Sequence, residues 1–179
     1  MAEGISVRFQ EWVESFPADA KLFLEVATDD SLGEDLRKHA VAGMSYILKQ
    51  LDFVPDHYRP TGVIDDCLVL RILAEVGSEF AGELDPDRLK HWFRLANERE
   101  DIEAFVGDAY PGLDRAVRAM LVEGFRHKSP GQWLADTEAL GHLADEVRKE
   151  IDGYVPPVVE DPDRAARELL SYLKAKVGK

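Results

Sequence analysis

The stretch Tyr46–Val76, YILKQLDFVPDHYRPTGVIDDCLVLRILAEV, decides how the rest of the chain must be arranged. It reads as a helix end, a proline-punctuated acidic turn and a second helix. Within that second helix Val63, Ile64, Cys67–Leu70, Ile72–Ala74 and Val76 are apolar, which leaves hardly any polar side. A helix that is hydrophobic nearly all round is buried, so the pattern predicts a central helix over about 63–81. Arg71 and Glu75 are four apart and are expected to pair on one narrow wet strip. Thr61 and Gly62 stand before it as cap residues, Gly62 being free to take a positive φ.

Asp65 and Asp66 fall in the first turn, where the helix dipole favours negative charge. At 100° per residue Asp66 continues the row of Leu70 and Leu73, and Asp65 that of Leu68, Val69 and Ile72. A carboxylate on an apolar row needs partners, because burying it unpaired costs several kcal/mol or neutralises it. The preceding loop supplies Asp52, Asp56, His57, Tyr58 and Arg59, and Pro55 and Pro60 stiffen it. Two readings follow. In one, some of Asp52, Asp56, Asp65 and Asp66, with His57 nearby, hold a divalent cation. Oxygen ligands of that kind suit magnesium, calcium or manganese. In the other, the aspartates cap helices and accept amides, at least one of Asp65 and Asp66 taking N–H groups of the 56–62 loop. The second is preferred, because aspartate favours turns and caps on its own chemistry, so no cofactor is expected.

Tyr46, Leu51-Asp52, Val54-Pro55-Asp56, Gly62 and Asp65-Asp66 together resemble the YkvA-like family, a domain of unknown function. The resemblance implies a helix–acidic turn–helix unit over about 40–78. It implies no activity, because the family has none established.

Outward from this unit nearly every segment has the helical period. Ile5, Phe9, Trp12, Val13 and Phe16 form one stripe; Pro17 is expected to end that helix and start another over 18–27. A third helix is predicted over 32–51. Asp85-Pro86 and Asp161-Pro162 both read as an N-cap followed by proline at the first helical position. The charged run 97–101 reads as a solvated face or a kink. Leu113, Val117, Met120 and Gly124 mark one further helix. Trp133, Thr137, Leu140, Ala144, Val147, Ile151 and Tyr154 mark the next, at spacings of four and three. The narrow seam and the short turn between them predict an antiparallel helical hairpin. Residues 154–162, with three prolines, read as a linker to a C-terminal amphipathic helix over 163–179. The expected architecture is therefore an all-α bundle over 1–153, linker-tethered to that helix.

At 179 residues such a chain buries about 70% of the surface it exposes when unfolded, enough to stand without staples. Its single cysteine, Cys67, excludes an internal disulfide framework and reads as a small core residue. Residues 1–10 lack the basic start and apolar run of a signal peptide, and no run of 18 apolar residues occurs. The expectation is a soluble cytoplasmic protein with no membrane insertion. A net charge of −13 argues against nucleic-acid backbones, which demand a basic footprint. Phosphate loops, GxSxG elbows, HExxH and CxxC pairs are all missing. His39 lies on an apolar row and reads as a core histidine; His91, His127 and His142 read as surface residues. The function expected is a non-catalytic structural or protein-interaction module that binds a protein partner or self-associates. The alternative is a divalent-metal-dependent hydrolase that uses the aspartates of the 52–66 turn.

Overall fold

The computed structural model describes residues 3–49 and 53–178. In chain order they form α1 (Glu3–Ser6), α2 (Phe9–Thr28), α3 (Glu34–Ile47), α4 (Thr61–Val76), α5 (Pro86–Ala96) and α6 (Arg99–Val106). Then come α7 (Tyr110–Ala119), α8 (Pro130–Ala135), α9 (Thr137–Asp152) and α10 (Pro162–Val177). The helices form one bundle, with no strand among the described residues. No helix there is long and apolar enough to cross a membrane.

Helix α4 is the hub. All its residues but Glu75 are buried, and it packs against α2, α3, α5, α6, α7 and α10. Its α-ladder stops at Val76 instead of running on to about 81. The Ala74 carbonyl, the natural acceptor for the Ser78 amide, takes the Ser78 hydroxyl and Trp92 Nε1 instead, each at 2.8 Å. A 3₁₀ segment, Ser78–Glu83, follows. Glycines mark where neighbours come closest. A Cβ on Gly43 would lie 2.4 Å from Phe23 Cδ1 and 2.9 Å from Leu70 Cδ2, so only glycine lets α2, α3 and α4 meet. Gly62 has no positive φ; it is needed because a Cβ there would approach Asp56 Cα and the Pro55 carbonyl to 3.0 Å.

The first two expected helices are one. Pro17 lies inside α2, and its missing N–H leaves the Val13 carbonyl without its usual donor. The Tyr154 hydroxyl donates to that carbonyl at 2.6 Å, so the helix continues across the gap. Helix α3 is shorter than the 32–51 predicted, starting after Gly33 and stopping at Ile47. Both Asp-Pro starts form as read: Asp85 accepts from the Asp87 and Arg88 amides, and Asp161 from that of Arg164.

The hairpin forms differently. The predicted helix from Trp133 to Tyr154 is broken at Asp136, whose side chain caps α9 through the Ala139 amide at 3.0 Å. The α9 seam is buried at Leu140, Leu143, Ala144 and Val147, but its main neighbours are α2 and α3 instead of α7. The cause lies in the connection. Helix α7 ends at Ala119, and a tight turn then closes between Phe125 and Lys128 with Arg126 and His127 in the left-handed region (φ 49° and 66°). That turn sends the chain to a different side of the bundle. Truncating the seam at Leu140→Ala is expected to lower stability by about 2–5 kcal/mol, read as a shifted denaturant midpoint.

Residues 154–161 run without helix across the N-terminal end of α2. The Val159 amide donates to Gln10 Oε1 at 2.8 Å, and Arg59 Nη1 reaches the Val155 carbonyl at 3.3 Å. Beyond them Ala165, Leu169 and Leu173 of α10 are buried, and α10 packs on α1, α4 and α7.

Candidate functional site

Asp65 and Tyr46 make the acidic turn what it is. The Asp65 side chain is fully buried; its Oδ2 accepts the Tyr46 hydroxyl at 2.7 Å and the Val54 amide at 3.1 Å. The same hydroxyl accepts the Phe53 amide at 3.1 Å. One carboxylate thus joins α3, the start of the turn and α4. The amide it takes lies upstream of the 56–62 loop, because Tyr46 brings the chain at Phe53–Val54 directly over the α4 N-terminus. Asp65 Oδ1 finds no hydrogen-bond partner among the described residues. Burial drives the carboxyl from 3.8 up to about 7, against the two hydrogen bonds, and the charge of Asp56 adds to the rise.

Of the other residues of the predicted ion site, the described ones differ in burial and surroundings. Asp52 lies outside the described residues. Asp56 and His57 are exposed, His57 stacking on Tyr58 with ring centroids 4.3 Å apart. The Asp56 carboxyl loses some hydration against the turn, and that loss together with the Glu150 charge raises its pKa. Asp66 is buried on α4 on the side of Cys67 and Tyr154, whose titration its charge opposes. Among the described residues no group of three or more His, Cys, Asp or Glu side chains is placed to hold a metal ion.

A second polar centre lies on the same helix, and its members were not singled out as a group by the sequence. Arg71 has no wet strip. It is 1% exposed and pairs with Asp19 of α2 at 3.6 Å and with Glu98 at 3.1 Å, while its guanidinium lies 4.2 Å over the Trp12 ring. Glu75, its expected partner, pairs with Arg99 instead. Glu98 sits in the kink between α5 and α6, so the charged run 97–101 is a break with one acid turned inward. Its Oε2 accepts Trp12 Nε1 at 2.8 Å and Arg8 at 3.3 Å. Asp19, fully buried, also meets Arg94, Ser15 and His91, the last with Nε2 at 2.7 Å. His91 is thus half-drawn into the bundle and not a free surface residue. Burial alone would raise the Asp19 carboxyl; the His91 hydrogen bond and the charges of Arg71 and Arg94 outweigh it and hold it below its ordinary value. The available signal was a lone acid, Asp19, inside the mostly apolar run Phe16–Leu24, and a lone cation, Arg71, inside a helix that is apolar nearly all round. Two such misfits satisfy each other.

The remaining candidates are structural. His39 is buried; its Nδ1–H donates to the Asp35 carbonyl at 2.7 Å, and burial lowers its pKa. The Cys67 thiol contacts the Trp12 carbonyl at 3.4 Å, and burial pushes it well above its ordinary range, which keeps it protonated and unreactive. The chain matches no family model, no curated protein and no solved structure.

Proposed function

We propose that this chain is a non-catalytic helical module that acts by engaging a protein partner. One observation carries the reading: the buried charges tie helix to helix. Asp65 joins α3 and the turn to α4, and Arg71 joins α4 to α2 and to the α5–α6 kink. A hydrolytic metal site needs carboxylates converging on an open position. Here Asp65 is spent on Tyr46 and the Val54 amide, and Asp19 and Glu98 on arginines. The YkvA-like resemblance belongs to the same proposal as a fold unit. A cytoplasmic setting and indifference to nucleic acid accord with the acidic charge.

Thermal melts with chelator and with magnesium, calcium or manganese test the reading. The expected result is one melting temperature throughout. A rise of several degrees with one ion, lost in Asp66→Asn, would replace this reading with a metal-dependent enzyme built on the 52–66 turn.

A further inference from the structure

The acidic turn, the proline segment and the start of α10 enclose a groove lined by Arg59, Pro60, Val158, Asp161, Ala165 and Glu168. Of the six large apolar or aromatic side chains left exposed among the described residues, Val158 (71% exposed) lines it, and two more adjoin its Arg59: Tyr58 (49%), the preceding residue, and Val155 (71%), whose carbonyl Arg59 binds. They are held there. Arg59 binds the Val155 carbonyl, and Gln10 both accepts the Val159 amide and donates to the Pro157 carbonyl at 3.5 Å. The Tyr58 ring rests against Tyr172 with centroids 5.8 Å apart. Apolar groups fixed outward by such contacts lose little freedom when a partner covers them.

The charge around this rim is net negative, the acids Glu160, Asp161 and Glu168 of the lining standing against two arginines. Residues 150–163 contain five acids, Glu150, Asp152, Glu160, Asp161 and Asp163, and no base. Asp56, on the same turn as Arg59, feels the Glu150 charge. Of the two arginines of the lining, Arg164 is paired with Glu168 at 2.9 Å, which leaves Arg59 alone against Glu160 and Asp161. A second copy of the chain would bring like charges together, and so would an anionic membrane or a nucleic acid. We propose that this groove docks a basic, extended peptide segment of a partner protein. An apolar or aromatic residue of that segment would rest on Tyr58, Val155 and Val158, and its lysines or arginines would face the acids of 150–163. The inference rests on the interaction-module reading above.

The test titrates the full chain, in about 0.15 M salt, with a synthetic peptide that alternates lysine with leucine and phenylalanine. Saturable one-to-one binding is expected, with amide shift changes centred on residues 57–60 and 155–168. Val158→Asp should weaken it about tenfold or more while leaving the melting temperature unchanged, because that side chain supports nothing. The same peptide with glutamate for lysine should not bind. Shift changes spread evenly over the acidic surface, or an affinity indifferent to Val158→Asp, would overturn the groove assignment. Those outcomes leave the module reading standing, since it is the ion-dependent melts that decide it.

Discussion

Truncating Arg71 to alanine is expected to lower stability by about 3–5 kcal/mol, among the largest losses any single change in this chain should produce. It leaves the fully buried Asp19 and the largely buried Glu98 with one counter-charge fewer, and strips the Trp12 ring of the guanidinium above it. Arg71→Lys should recover only part of the loss, because an ammonium cannot serve two carboxylates and a carbonyl with a planar fork. Replacing Arg71 and Asp19 together by apolar residues of similar size should be far milder than Arg71→Ala, since no charge of that pair is then stranded. Urea midpoints at unchanged slope give the comparison. A loss below about 1 kcal/mol for Arg71→Ala would mean that water reaches the network.

What the sequence disclosed was periodicity, and what it hid was pairing across distance. Apolar spacing located α4 as the hub, and Asp-Pro dipeptides located two helix starts to the residue. Spacing also paired Arg71 with Glu75, because i, i+3 and i, i+4 are the only neighbour relations a single helix reveals. The true partners lie 52 and 27 positions away, on α2 and at the α5–α6 kink, whose placement relative to α4 no local pattern encodes. Pro17 misled for a related reason. A proline predicts a break from what it lacks, and here a tyrosine far along the chain supplies the missing donor.

The second large effect concerns pH. The Asp65 carboxyl is raised from 3.8 to about 7 in the folded chain. The folded state therefore binds a proton more tightly than the unfolded one, and the associated stability is complete below about pH 4 and lost as pH climbs through about 7. At ~1.4 kcal/mol per pKa unit, the full swing is about 4 kcal/mol. Asp65→Asn keeps an oxygen for Tyr46 and Val54 but cannot ionise. Wild type minus Asp65→Asn should thus fall by up to about that amount between pH 4 and pH 8, with the variant the more stable at alkaline pH. Denaturant midpoints across the window measure it. The difference cancels the lowered carboxyls elsewhere, such as Asp29, Asp85 and Asp136, which push stability the other way. A flat difference would place a counter-charge or water beside Asp65.

That the aspartates of the turn need partners was legible from their apolar rows; which partners was not. Tyr46 could be named within the resemblance, yet its hydroxyl reaches Asp65 only because α3 and α4 cross closely at Gly43. The exposed rim of the groove was less legible still. Valines 155 and 158 read as linker, and nothing local in VPPVV says which side chains a distant Gln10 will hold outward.

The bond from Tyr154 to the Val13 carbonyl bears on the order in which the molecule can be completed. It spans 141 positions, and its neighbours from Gln10 to Val159 and from Ser6 to Asp163 span still more. Contacts of such separation form late, because closing a long loop precedes any reward from it. While the chain emerges from the ribosome, helix α2 has a gap at Pro17 that stays open until Tyr154 has been made. Helix α2 is made long before its seam can be closed, and a chain cut short before Tyr154 would carry an α2 with an open seam in its middle.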